Sequence, residues 1–339
     1  MSTLKGVVFV AGASRSGTTM LNRILGQNPA VCAMNELHYF GDLFEIGEDQ
    51  TIFQGHELLK KASKLFARYR RGLWKGKPEE ADIKSAQVLI NSLYEPIDGV
   101  RLFQRFLEYV ADESDSSLVA EQTPRNIYYA ADLLKAYPDA RILHIVRDPR
   151  AVIASQKRRW SRRKTLNANN IPILEMVREW ISYHPYTMSL LWKKAFIAGQ
   201  SIESSDRYLR IRFEELVEDP QQVVRQVCKF IKVPFDEKML NIPQIDSSVR
   251  AVDNAVVGIQ KSAVETWKSV LSAGEVQLIE YCLLAEMKNL GYHPQSSNTG
   301  GVYLSFLPIA LRFPFHLLGT FVVNPQRFLI QLKGIVLKK

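Results

Sequence analysis

The chain has 339 residues, 46% hydrophobic and 23% charged, enough to bury a large core as one big domain or two modest ones. Its 44 Lys and Arg against 35 Asp and Glu give a net charge of +9, which points to anionic partners: a phosphorylated cofactor, an acidic acceptor, a membrane surface or nucleic acid. Three scattered cysteines, Cys32, Cys228 and Cys282, exclude a disulfide framework and a close-spaced zinc site and fit a reducing compartment. The short polar start, Met1 to Lys5, runs straight into an apolar stretch and is not a signal peptide, so a cytoplasmic location is expected.

Val7-Val8-Phe9-Val10-Ala11 reads as a buried strand, Gly12 to Gly17 as a tight turn, and Thr18 to Leu25 as a helix. This order aims backbone N–H groups and a helix N-terminus at an anion. The Gly12-x-x-x-x-Gly17 spacing is that of a phosphate-binding loop, but Thr18 stands where such a loop needs lysine to hold a triphosphate. The loop carries its own cation, Arg15, instead.

Val31 to Met34 predicts a second strand, which delivers Glu36 and His38 to a strand C-terminal end, where open α/β sheets bind ligands. The interval from Arg15 to Glu36 predicts that this strand lies beside the first. A carboxylate at position 36 can take a proton from an attacking hydroxyl. Residues 55–113 read as a helical insertion, a lid or acceptor wall, in which Lys60, Lys61, Lys64, Arg68, Arg70 and Arg71 form a solvated face.

Ser117 to Ala120 is a third strand, followed by Glu121-Gln122-Thr123-Pro124-Arg125 and a helix over 126–136. Arg141 to Val146 is a fourth. Asp148 then caps a helix with Pro149 at its first position, so that Arg147 and Ser155 can converge on one anion. Six cations between Lys157 and Lys164 form a solvated face or a basic flap. A long helix over 171–198 should split near Pro185, and 208–213 alternates as a further strand. Helices over 221–231 and 273–290 follow.

Two motifs, Arg15-Ser16-Gly17-Thr18-Thr19 and Arg147-Asp148-Pro149-Arg150 with Ser155, resemble those of the sulfotransferases that use 3′-phosphoadenosine 5′-phosphosulfate (PAPS). The position of Glu36 is similar to that of the base in tyrosylprotein sulfotransferases and bacterial relatives. The resemblance covers residues 5 to 291. It implies an α/β fold, three layers around a central parallel sheet of four or five strands with the P-loop topology of nucleotide kinases. It also implies sulfuryl transfer to a hydroxyl, less readily an amine, by in-line displacement and without a metal.

Carried over by position, Arg15, Ser16, Gly17, Thr18 and Thr19 hold the 5′-phosphosulfate, with Arg15 also stabilising the transferring group. Arg147 and Ser155 hold the 3′-phosphate, and Arg159 falls at a further cofactor position. Phe213 replaces a tyrosine near adenine. Ser248 contacts the sulfonate and Lys261 lies on a loop that closes over the cofactor. Gln122 departs from the family's lysine and removes one charged donor.

The resulting organisation is a sulfotransferase domain over 1–294, a linker over 295–301 and a tail over 302–339. The tail has no acidic residue, five Lys and Arg and six Phe and Tyr, and is interrupted by Pro308, Pro314 and Pro325. Its uncharged runs are too short to span a bilayer; it either lies on an anionic membrane surface or packs on protein. No nucleic-acid-reading motif accompanies the basic run. The rival readings are a kinase-like nucleotide enzyme and a non-catalytic membrane-associated protein that kept the fold. The acceptor, whether glycan, lipid, metabolite or peptide tyrosine, is left open.

Overall fold

The structure, a computed structural model, describes residues 4–47, 52–73, 77–93, 97–159, 173–242, 264–295 and 302–323, together with 325, 328 and 329. Ser248, Lys261, residues 296–301 of the linker and the part of the basic run beyond Arg159 lie outside these residues. The chain divides into two compact units: Met1–Val146 with Ala198–Ile242, and Arg147–Ile197 with Pro243–Lys339.

The first unit is built on a parallel sheet of five strands, β1 (Gly6–Ala11), β2 (Val31–Met34), β5 (Leu118–Glu121), β6 (Arg141–Val146) and β7 (Tyr208–Arg212), in the order β2-β5-β1-β6-β7. β1 is central and every one of its residues is buried, as expected of a strand covered on both faces. The second strand is therefore not beside the first. β5 lies between them, pairing Val31 with Leu118 on one side and Val7 with Val119 on the other. Spacing along the chain sets which strands exist; cross-strand packing sets their order.

Helix α1 (Thr18–Leu25) follows β1 and buries Leu21, Ile24 and Leu25. The insertion contains α2 (Gly55–Arg71), α3 (Glu80–Asn91) and α4 (Gly99–Glu113), with a short antiparallel pair of β3 (Ile52–Phe53) and β4 (Ile97–Asp98). An aromatic cluster joins this insertion to the sheet: Phe103 of α4 stacks on Tyr39 at 4.7 Å and meets Phe40 edge-on at 5.1 Å, while Phe9 of β1 approaches Phe40 at 6.2 Å. After β5 the expected single helix is a 3₁₀ turn, Pro124–Tyr129, leading into α5 (Ala130–Ala136).

In the second unit α6 (Pro149–Lys157) begins as expected, with the Asp148 carboxylate accepting from the Arg150 amide at 2.8 Å and Pro149 in the first turn. α7 (Ile173–Ile181) and α8 (Pro185–Gln200) are separated before Pro185. In the first unit, α9 (Phe213–Glu218) and α10 (Pro220–Ile231) follow β7. α11 (Ala273–Asn289), in the second unit, opens with a reciprocal Ser272–Glu275 capping box. The tail forms α12 (Val302–Val323), which continues through Pro308 and Pro314.

Candidate active site

The loop between β1 and α1 takes its shape from three left-handed residues, Gly12, Arg15 and Gly17, with φ of 152°, 82° and 108°. A Cβ on Gly12 would stand 2.4 Å from the Ile145 carbonyl oxygen, and one on Gly17 would stand 2.5 Å from the Phe213 ring. Only glycine lets the loop lie this close to β6 and to Phe213. Phe213 is buried beneath Gly17, so its ring supports the loop. The Ser16 side chain is fully buried, and its hydroxyl has no hydrogen-bond partner among the described residues. An orphan donor in a glycine loop at a helix N-terminus is what a phosphate oxygen would satisfy.

Glu36 emerges from the end of β2 and is half-buried. Its Oε2 lies 2.9 Å from His38 Nε2, and its Oε1 accepts from Gln122 Nε2 at 3.2 Å. The same Gln122 amide donates to Thr18 Oγ1 at 3.1 Å. Gln122 thereby joins the helix that follows the glycine loop to the candidate base. Where the family has lysine, this chain uses a neutral bridge that leaves the charge on Glu36 uncompensated from that side.

The backbone that carries Glu36 is gripped on every polar group of the next two residues. Leu37 N–H donates to Glu121 Oε1 at 3.3 Å and His38 N–H to Thr123 Oγ1 at 3.2 Å. The Arg68 guanidinium donates to the Leu37 carbonyl at 2.7 Å and to the His38 carbonyl at 2.8 Å. His38 is itself left-handed, with φ of 47°, a conformation that surrounding structure must hold in place. Glu121, Thr123 and Arg68 are all buried. Arg68 is thus a correction to the reading of α2 as a uniformly solvated cationic face: it turns inward to this loop, and burial lowers its pKa.

Glu121 also accepts from Thr123 Oγ1 and Asn126 Nδ2, each at 2.5 Å. Burial pushes its carboxyl up to about 7, against the opposing pull of the hydrogen bonds from the Thr123 hydroxyl and the Leu37 amide. Arg125 is engaged by Asp42 at 2.7 Å. A carboxylate at the end of an apolar strand was the signal for Glu121; nothing in the helical periodicity of α2 marked Arg68.

In the second unit, Arg147 directly follows β6 and is buried, while Ser155 is half-buried two turns into α6. Arg150, in the same motif, is structural. It pairs with Asp148 and Glu280, each at 2.7 Å, and its guanidinium lies 4.4 Å from the Trp267 ring centre. Arg159 pairs with Glu179 at 2.6 Å and Lys157 with Glu275 at 2.6 Å, so these two cations of the basic run are tied down by carboxylates. Among the described residues no group of three or more His, Cys, Asp or Glu gathers where it could hold a metal ion.

A model of the sulfotransferase family matches residues 7–237. The chain belongs to that family. The match takes in the glycine loop, Glu36, Gln122, Arg147 and Ser155. Among relatives, the protein-tyrosine sulfotransferase of Drosophila melanogaster is 21% identical over 302 residues, covering 86% of this chain and 52% of the relative. An uncharacterized protein of Aquifex aeolicus is 24% identical over 267 residues, 78% of this chain and 30% of its own length. This chain therefore spans about half or less of these two relatives. The sulfotransferase domain of the Synechococcus PCC 7002 olefin synthase superposes with a TM-score of 0.51 at 20% identity, over 83% of this chain and 95% of that domain. The sulfotransferase domain from the curacin biosynthetic pathway gives 0.51 at 21% identity, over 86% and 99%. These likenesses establish the fold.

Proposed function

We propose that this member of the sulfotransferase family moves the sulfuryl group of PAPS to a hydroxyl acceptor. The observation that carries the reading is the bridge Thr18–Gln122–Glu36, which fixes a carboxylate beside the helix that follows an anion-binding loop. PAPS supplies the sulfuryl group, whose bond to the 5′-phosphate oxygen breaks as a bond to the acceptor oxygen forms. Glu36 accepts the acceptor's proton, with His38 and Gln122 fixing its two oxygens. Arg15, the Ser16 hydroxyl and the amides of Gly17 to Thr19 would hold the 5′ end and meet the charge that develops on the departing phosphate, the Ser16 amide being spent on the Ala13 carbonyl at 3.0 Å. Arg147 and Ser155 would hold the 3′-phosphate. Positioning and electrostatics then supply most of the rate, as in phosphoryl transfer.

Relatives that carry the name protein-tyrosine sulfotransferase support a phenolic acceptor, a tyrosine in a peptide. A cytoplasmic site of action belongs to the same proposal and is supported by Cys32, Cys228 and Cys282, all free thiols. The direct test is calorimetric titration with adenosine 3′,5′-bisphosphate on wild type, Arg15→Ala and Arg147→Ala. An acceptor panel of tyrosine peptide, glycan and lipid hydroxyl follows. Metal-independent binding lost in both variants, with turnover on the peptide, is the expected result. Binding of a nucleoside triphosphate with magnesium, and none of the bisphosphate, would replace this reading with a kinase-like one.

A further inference from the structure

Helix α12 has two faces of opposite character. On one, the Ile309 carbonyl lies 3.1 Å from His184 Nε2, Phe313 packs on the rings of His184 and Tyr186, and His316 Nδ1 lies 2.9 Å from the Ile181 carbonyl. Thr320 completes this row and is fully buried. The spacing 309, 313, 316, 320 is one helical stripe, and it anchors the tail helix on α7 and the start of α8.

The second stripe is Leu307, Leu311, Phe315, Leu318 and Val322. Each is between 55% and 77% exposed. On a helix set firmly into its own unit, five large apolar side chains at 4, 4, 3 and 4 spacing face solvent, and nothing in the fold requires them there. The neighbouring α7 adds Trp180, 63% exposed, next to the Ile181 that receives His316. An exposed tryptophan on a helix that packs against α12 is a side chain suited to a lipid headgroup boundary.

Charge selects the occupant. Residues 302–339 hold Arg312, Arg327, Lys333, Lys338 and Lys339 and not one Asp or Glu. A second copy docked through this segment would bring one wholly cationic stretch against another, whereas an anionic bilayer surface complements its charge. Among the described residues no helix is long and apolar enough to cross a membrane, and the exposed Pro308 and Pro314 each remove a helix amide. Both features suit a helix lying in the wet interface rather than one inserted through the core. We propose that the exposed stripe of α12, with Trp180, docks this protein on an anionic membrane surface.

This proposal stands apart from the catalytic reading, and its test uses neither nucleotide nor acceptor. Full-length protein is sedimented with vesicles of phosphatidylcholine alone and of phosphatidylcholine with about one-third phosphatidylserine. Wild type should bind the anionic vesicles, less so as salt is raised, and bind the neutral ones at least tenfold more weakly. Phe315→Glu should lower anionic binding at least tenfold with an unchanged melting temperature, and Leu311→Ser provides a second variant should the first fail to fold. Changing Lys333, Lys338 and Lys339 together to Gln should remove the preference for phosphatidylserine while leaving the apolar stripe intact. No sedimentation of wild type, or equal binding by wild type and both stripe variants, overturns the proposal. So does light scattering that shows a wild-type dimer turned to monomer by Phe315→Glu, because a second copy would then be the occupant.

Discussion

Thr123→Val tests whether the grip on residues 37 and 38 positions the base. Valine keeps the shape of threonine and removes one hydroxyl, which accepts from the His38 amide at 3.2 Å and donates to Glu121 at 2.5 Å. Thr123 is fully buried and the His38 amide is partly so, so the amide loses its one side-chain acceptor here. Leaving such a donor unpaired costs about 1–3 kcal/mol. A non-glycine residue in the left-handed region costs about 1–2 kcal/mol, which His38 recovers by turning to negative φ. Relaxation therefore competes with staying, and it carries away the ring that lies 2.9 Å from Glu36 Oε2. General-base catalysis is worth about 10²–10⁴ in rate, so a displaced Glu36 should forfeit about 10–100-fold of kcat. Steady-state sulfuryl transfer on the tyrosine peptide, with calorimetry of adenosine 3′,5′-bisphosphate, reads this directly. kcat should fall, nucleotide affinity should hold within about twofold, and Thr123→Ser should restore the rate. A variant with a lowered melting temperature and an unchanged kcat would refute the positioning argument and leave Thr123 a purely structural residue.

Glu36→Gln should lower kcat by about 10²–10⁴ while nucleotide binding persists, as measured by the same pair of assays. Gly17→Ala forces a Cβ to 2.5 Å from the Phe213 ring at a φ of 108°, so calorimetry should show nucleotide binding lost and thermal melting a lower transition. Glu121 holds its proton more tightly folded than unfolded, its carboxyl standing near 7 against an ordinary 4.5. Its contribution to stability is therefore full below about 4.5 and is lost as pH rises through about 7. Glu121→Gln should flatten that slope in denaturant titrations across the same window. The fold should survive, because the buried Asn126 Oδ1, now without a partner, can turn to meet the new amide.

The glycine loop, the strand ends and the capped start of α6 could be read from the sequence because each is a local event. Gly12 and Gly17 answer to their own φ, and Asp148 caps the helix it precedes. What could not be read is what the chain does with distant segments. Arg68 looks like its neighbours Lys60 and Lys64 on a basic helix, yet it reaches carbonyls about thirty residues earlier. The placement of β5 between β1 and β2 is likewise a matter of packing across 84 or more residues. Pro308 and Pro314 were expected to break the tail. They sit on its exposed side, and contacts of Phe313, His316 and Thr320 hold the opposite side in one helix.

The strand order also has a consequence for how the polypeptide is made. β1 and β2 emerge from the ribosome well before β5, but neither pairs with the other. Each waits for Leu118–Glu121, so two apolar strand edges stay open while the three helices of the insertion are synthesised. Non-local pairing of this kind folds slowly and leaves nascent chains prone to aggregation. The aromatic packing of Phe103 on Tyr39 and Phe40 becomes available just before β5 is complete, and so can shield the nascent core until the sheet closes.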